Sequence, residues 1–264
     1  LFSGIYLLLV FALLSAILPW EAIPCFAGFL IIGYAFGIGL EAAAIAALVV
    51  IMLVVLFLRF APKSGPVLLL MPITMFFGVT QVVPVCAGLK HRLSSVFAVG
   101  SSVVVYYLIV ALNVLRDNGP GEGDMLSNLE QLTNGVFGKP EMVMNLVVLC
   151  AVFIITYAVR NLAVAGSYPV SVGVGSLAYP VLMLIASALT GVKVPVGLIL
   201  ISTIVSIIVS TIFVFFIYDV DYKAAKYLQF EDDDYFYYVK ALPKNVVVLS
   251  ENPEEEDPEE GDLE

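Results

Sequence analysis

The chain has 264 residues, 61% of them apolar and 13% charged, with a net charge of −10. Soluble domains hold about 45–50% apolar and about 25% charged residues, so a water-soluble globule is excluded and a bilayer is the solvent that fits. Residues 1–218 hold 8 Lys/Arg against 7 Asp/Glu and residues 219–264 hold 4 against 15. The acidity therefore belongs to the tail, a basic face for nucleic acid is excluded, and no run of Lys or Arg in the membrane part grips anionic lipid.

Windows of bilayer thickness predict an all-α polytopic transmembrane helix bundle of about six to eight spans. The candidates are Phe2–Pro19, Ala22–Leu40, Ala42–Phe60, Pro66–Leu89, Ser95–Leu115, Met142–Val159, Ser171–Thr190 and Val194–Tyr218. The first reads as a spanning helix, since its apolar run is longer than a signal-peptide core and no A-x-A follows. A further N-terminal flank is expected before it. The second carries a G-x-x-x-G at Gly33 and Gly37, a pattern that lets helices approach closely. Glu41, at the Gly-rich turn that follows, reads as a helix-end carboxylate.

The fourth segment, PVLLLMPITMFFGVTQVVPVCAGL, is the least regular. Pro72 and Pro84 remove backbone donors, Gly78 loosens the chain between them, and Thr80 and Gln81 place polar groups near its middle, so the helix is expected to kink or break. Backbone freed at membrane depth is tolerated where it is buried in protein or lines a wet cavity. Pro72, Gly78, Thr80, Gln81 and Pro84 are thus the solute-path candidates, against a kinked packing helix with Gln81 bonded to a neighbour. His91, in LKHRL, reads as part of a solvated basic turn.

The loop Arg116–Glu141 opens with turn residues, and its MLSNLEQL predicts a short interfacial helix. Gly173 and Gly175 mark a second small-residue packing face. The hydroxyls of STIVSIIVST lack a base and are expected to bond a carbonyl one turn back or a neighbouring helix. Val196–Ile217 is the strongest span: 16 of its 22 residues are Val, Leu, Ile or Phe, worth about −5 to −10 kcal/mol of insertion. Cys25, Cys86 and Cys150 read as buried apolar thiols. If all eight segments cross, Lys223, Lys226, Arg160, Lys90 and Arg92 face one side and Arg59, Lys63, Arg116, Lys139 and Lys193 the other. The two compact clusters in the first set favour a cytoplasmic C-terminus.

Beyond residue 218, alternating aromatic and β-branched residues predict strands at Lys226–Glu231 and Tyr235–Leu242 with Asp232–Asp234 as a solvated turn. Tyr235 and Tyr237 share one face of the second strand, and Phe236, Tyr238 and Leu242 the other. Such a hairpin needs a surface, either its own membrane domain and interface or a membrane or cytoplasmic protein partner. Residues 250–264 are acidic and Pro-bearing and are expected to be disordered. The domains are then 1–218, 219–249 and 250–264.

At MPITMFFGVTQVVPVCAGL and QFEDDDYFYYVKALPK the chain resembles a group of bacterial polytopic membrane proteins that end in a similar acidic, tyrosine-rich strip. The resemblance covers most of the chain from the third span onward and implies a bacterial cytoplasmic membrane. It implies no activity and transfers no site residue.

A single histidine and the lack of a deep acidic pair argue against an enzyme, and no metal or cofactor is expected. The function expected is a permease-like or transport-associated subunit for an uncharged or weakly polar solute. The alternative is a non-transporting scaffold or anchor whose C-terminal strip recruits a partner. The lipid bilayer is the certain partner, and an oligomer is compatible with the glycine faces.

Overall fold

The computed structural model describes residues 18, 22–118, 125–162, 167–219, 226–231 and 236–241. The expected first span, the turn Asp232–Asp234, Tyr235, Leu242 and the acidic tail 250–264 lie outside the described residues. The chain divides into a unit ending at Val214 and a second beginning at Phe215.

The first unit is a helical bundle of α1 (Ile23–Phe36), α2 (Leu40–Phe60), α3 (Gly65–Phe76), α4 (Val82–Lys90), α5 (Val96–Asn118), α6 (Met125–Val136), α7 (Pro140–Arg160), α8 (Ser167–Thr190) and α9 (Val196–Val214). Five stretches among the described residues, 40–60, 93–117, 130–160, 167–190 and 196–217, are long and apolar enough to cross a membrane, whereas α1 is apolar but has only 14 residues. Large aliphatic and aromatic side chains cover the exterior. The chain is therefore a multi-pass integral membrane protein, since an apolar surface of that extent is insoluble in water.

Helix ends follow the dipole. Glu41 and Glu141 lie in the first turns of α2 and α7, Arg59 and Arg160 in their last turns, and Pro140 opens α7, where its missing N–H costs nothing. In α9 the usual polarity is inverted: Ser202, Thr203, Ser206 and Ser210 are buried while Leu200, Ile201, Ile204, Ile208 and Ile212 are exposed. Such a face turns hydroxyls to neighbouring helices and hydrocarbon to lipid.

Helix α5 packs against α2, α3, α6 and α7. One apolar core joins α1, α2, α5 and α6 around Ala46, Leu108, Leu112 and Leu132. The expected loop helix is α6, and it is docked rather than only interfacial, with Leu132 and Val136 buried in that core. A second packed region joins α4 to α7, α8 and α9.

The fourth predicted span does not cross the bundle. It breaks after Phe76 into α3 and α4, which pack on each other and return to the end at which they entered. Ser64 Oγ lies 2.6 Å from Ser95 Oγ and 3.5 Å from His91 Nδ1, whereas a continuous helix of that length would separate residues 64 and 91 by about 40 Å. The reason is local: Phe77–Gln81 forms a turn with Gly78 at φ +75, a conformation that glycine adopts without strain. Arg59, Lys63, Lys90, Arg92 and Arg160 consequently gather at one end of the bundle, and Arg116, Lys139 and Lys193 at the other. This overturns the five-to-five sidedness expected from a crossing segment.

In the second unit, β1 (Lys226–Glu231) and β2 (Phe236–Ala241) pair antiparallel, with Lys226 opposite Ala241 and Glu231 opposite Phe236.

Candidate functional site

The tip of the α3–α4 hairpin brings the solute-path candidates together. Pro72 is buried inside α3, Gly78 makes the turn, and Pro84 stands in the first turn of α4, where a missing N–H leaves no ladder bond unmade. Thr80 Oγ1 lies 2.7 Å from Tyr179 Oη of α8. Gln81 is the N-cap residue of α4 but makes no side-chain cap bond. Its side chain is fully buried, and neither the amide oxygen nor the amide nitrogen has a partner. Leaving such a group desolvated costs about 1–3 kcal/mol.

The tip sits at depth. Phe76 packs edge-on to Tyr106, 4.9 Å between centroids, and Tyr106 and Tyr179 each lie near the middle of a long helix. The N-terminal end of α4, with its partial positive charge, thus points into the membrane interior, as in the broken helices of transporters.

From the tip a line of hydroxyl and thiol groups follows α4 back. Ser176 Oγ lies 3.4 Å from Ser206 Oγ, and Cys86 Sγ lies 3.5 Å from Ser210 Oγ. Ser202, one turn nearer the start of α9, is buried without a partner. Tyr179 and Ser176 were not candidates from the sequence, whereas Ser202, Ser206 and Ser210 were expected to bond a carbonyl one turn back or a neighbouring helix, which holds for Ser206 and Ser210 but not for Ser202. The four-residue spacing of Ser202, Ser206 and Ser210 was the available signal.

The glycines separate by position. Gly175 faces Thr156 of α7, and so does Gly88 of α4, where an added Cβ would lie 2.8 Å from Thr156 Cβ. Gly33 on α1 and Gly37 just after it are exposed, and nothing lies within 4 Å of a Cβ added at Gly33 or Gly173. The close approach of α1 is at Gly28, where an added Cβ would lie 2.7 Å from Val50 Cγ1. Phe236, Tyr237 and Tyr238 fall on β2, and Tyr237 and Tyr238 stand opposite Phe230 and Gln229.

At the open end of the hairpin, Arg160 Nη1 donates to the Leu89 carbonyl and its guanidinium stacks over Tyr157, capping the C-terminus of α4. Burial, reinforced by the Lys90 and Arg160 charges, holds His91 below the usual imidazole range. A lowered native pKa means that the unfolded chain binds the proton more readily, so stability falls as pH drops below about 6.5. The thermal midpoint should therefore fall between pH 7.5 and 5.5 in the wild type and change less in His91→Gln. Parallel curves for the two proteins would contradict this.

Comparison with family models, with curated proteins and with solved structures gives no match to the chain.

Proposed function

We propose that the chain is a permease-like or transport-associated subunit that admits an uncharged or weakly polar solute along the α4–α8–α9 seam. The observation that carries this reading is the buried Gln81 amide, without a partner, at the tip of a helical hairpin inside the membrane. An orphaned donor and acceptor at that depth is a cost that packing alone gives no reason to keep, and a passing hydroxyl or amide would satisfy both groups. The seam is closed around Gln81, so in this reading it must open for a solute to reach the amide. In the same reading α1 adds a crossing to the five long stretches, which gives six, the lower end of the expected range.

Sidedness follows from the gathered cations. Five Lys/Arg at one end against three at the other, with no Asp or Glu from Ala42 to Leu115 or from Met142 to Tyr218, support a cytoplasmic hairpin mouth and a cytoplasmic C-terminus of α9. The β1–β2 strip would then offer a surface to a protein partner. The scaffold reading keeps that partner and gives the seam no traffic, and it is favoured by the complete burial of Gln81.

Gln81→Leu separates the two. Removing an unpaired amide should raise the thermal midpoint, consistent with relief of about 1–3 kcal/mol, and the variant should accumulate normally. In proteoliposomes followed by light scattering, wild type should pass small neutral solutes such as glycerol or urea faster than empty vesicles, and Gln81→Leu should not. Equal rates for wild type and empty vesicles across the neutral solutes would leave the scaffold.

A further inference from the structure

We infer that the mouth of the α3–α4 hairpin binds an anionic phospholipid, with its phosphate among Lys63, Lys90 and Arg92 and an acyl chain in the adjoining cleft between α2, α5 and α7. Sequence order separates Lys63 from Lys90 and Arg92, and the return of the hairpin brings them together. They line a cavity of about 380 Å³ together with Ser64, Ser94 and Ser95. The N-terminal ends of α3 and α5 open onto the same cavity, since Ser64 and Ser95 immediately precede those helices. Helix N-termini and ammonium or guanidinium groups favour the same ligand, an oxyanion. The nearest opposing ends, the C-termini of α2 and α4, have carbonyls already engaged: Phe57 by the Ala61 N–H, Ala87 by the His91 N–H and Leu89 by Arg160.

A soluble anion would need only that cavity, but a second one lies beside it. An apolar cleft of about 590 Å³ is lined by Met52, Leu56, Val96, Phe97, Leu146 and Cys150. Phe60 of the basic cavity stacks on Phe97 of the cleft, 4.5 Å between centroids, and both rings are exposed. Polar head space and apolar tail space therefore meet at one aromatic pair at the edge of the membrane. Ser101 supplies an independent sign of an occupant: the residue is part of the cleft wall, is 2% exposed, and its buried hydroxyl has no partner. It stands six residues beyond Ser95, about 9 Å along the helix, the depth at which a glycerol ester carbonyl would follow a phosphate bound at Ser95. Basic pockets between transmembrane helices hold lipid headgroups in this way.

The site does not depend on the solute path. The test is thermal stability and native mass spectrometry of the full chain, in nanodiscs of phosphatidylcholine alone or mixed with phosphatidylglycerol, and in detergent with inorganic phosphate. Phosphatidylglycerol should raise the midpoint and remain bound. Lys63→Gln/Lys90→Gln/Arg92→Gln should weaken its retention about a hundredfold. Lys139→Gln/Lys193→Gln, at the other end, should not. Ser101→Ala should lower retention of the diacyl lipid while leaving the response to phosphate unchanged. Equal stability in both nanodiscs, or equal retention by the triple variant, overturns the proposal. A shift with inorganic phosphate as large as that with phosphatidylglycerol overturns the lipid in favour of a soluble anion.

Discussion

Gly175→Val should leave no folded protein in the membrane. A Cβ at Gly175 would overlap the Thr156 hydroxyl, and Thr156 has no direction in which to retreat, because Gly88 of α4 closes on its other side. An added Cβ at Gly88 meets Thr156 Cγ2 and the Phe153 carbonyl at 3.0 Å, so rotating the side chain exchanges one clash for another. Thr156 also donates to the Val152 carbonyl at 2.8 Å, which fixes its rotamer. Three helices thus meet at one threonine, and inserting two methyls and a Cβ should cost about 3 kcal/mol or more. Gly175→Ala should be destabilised less, and Gly175→Ala/Thr156→Ala should recover most of the loss, since only the Thr156 Cβ, 3.1 Å away, then remains close. Normal accumulation of Gly175→Val, or a double variant no better than Gly175→Ala, would show that the three-helix contact is not tight.

Cysteine accessibility is the second large effect, because its outcome is all or none. In a background with Cys25, Cys86 and Cys150 replaced by Ala, cysteines at Lys63 and Ser94 should label from the same side of the membrane, and cysteines at Lys139 and Lys193 from the opposite side. An impermeant maleimide applied to intact cells should reach the second pair only. Labelling of Lys63 and Ser94 from opposite faces would restore a crossing fourth span, and labelling of the first pair alone would invert the protein.

The break in this segment was legible in the sequence because its causes are local: Pro72, Gly78 and Pro84 act within one or two turns of themselves. The return was not legible. A broken helix that crosses and one that doubles back have the same hydropathy and the same prolines, and what separates them is a contact between Ser64 and Ser95, 31 residues apart. The same limit explains the glycines. Gly28, Gly33, Gly88 and Gly175 are alike in sequence, each in an apolar helix, and only the arrangement of α2, α7 and α8 decides which of them meets a neighbour. His91 reads as solvated from its charged neighbours, yet the folded chain half-buries it beside Ser64. Gln81 was legible as unusual, but nothing in its neighbours along the chain says that its amide has no partner.

The doubling back of α3 and α4 also orders the making of the protein. A nine-residue helix reaches only about 14 Å, less than half of a bilayer's hydrocarbon, so α4 cannot be handed to lipid as an independent segment when it leaves the ribosome. The surfaces that cover it, on α7, α8 and α9, are synthesised later. Until the last of them is made, α4 has only α3 to pack on, and the turn that carries Thr80 and Gln81 lacks the α8 and α9 surfaces that bury it in the finished fold. The burial of this half of the bundle is therefore complete only when the last helix has been made.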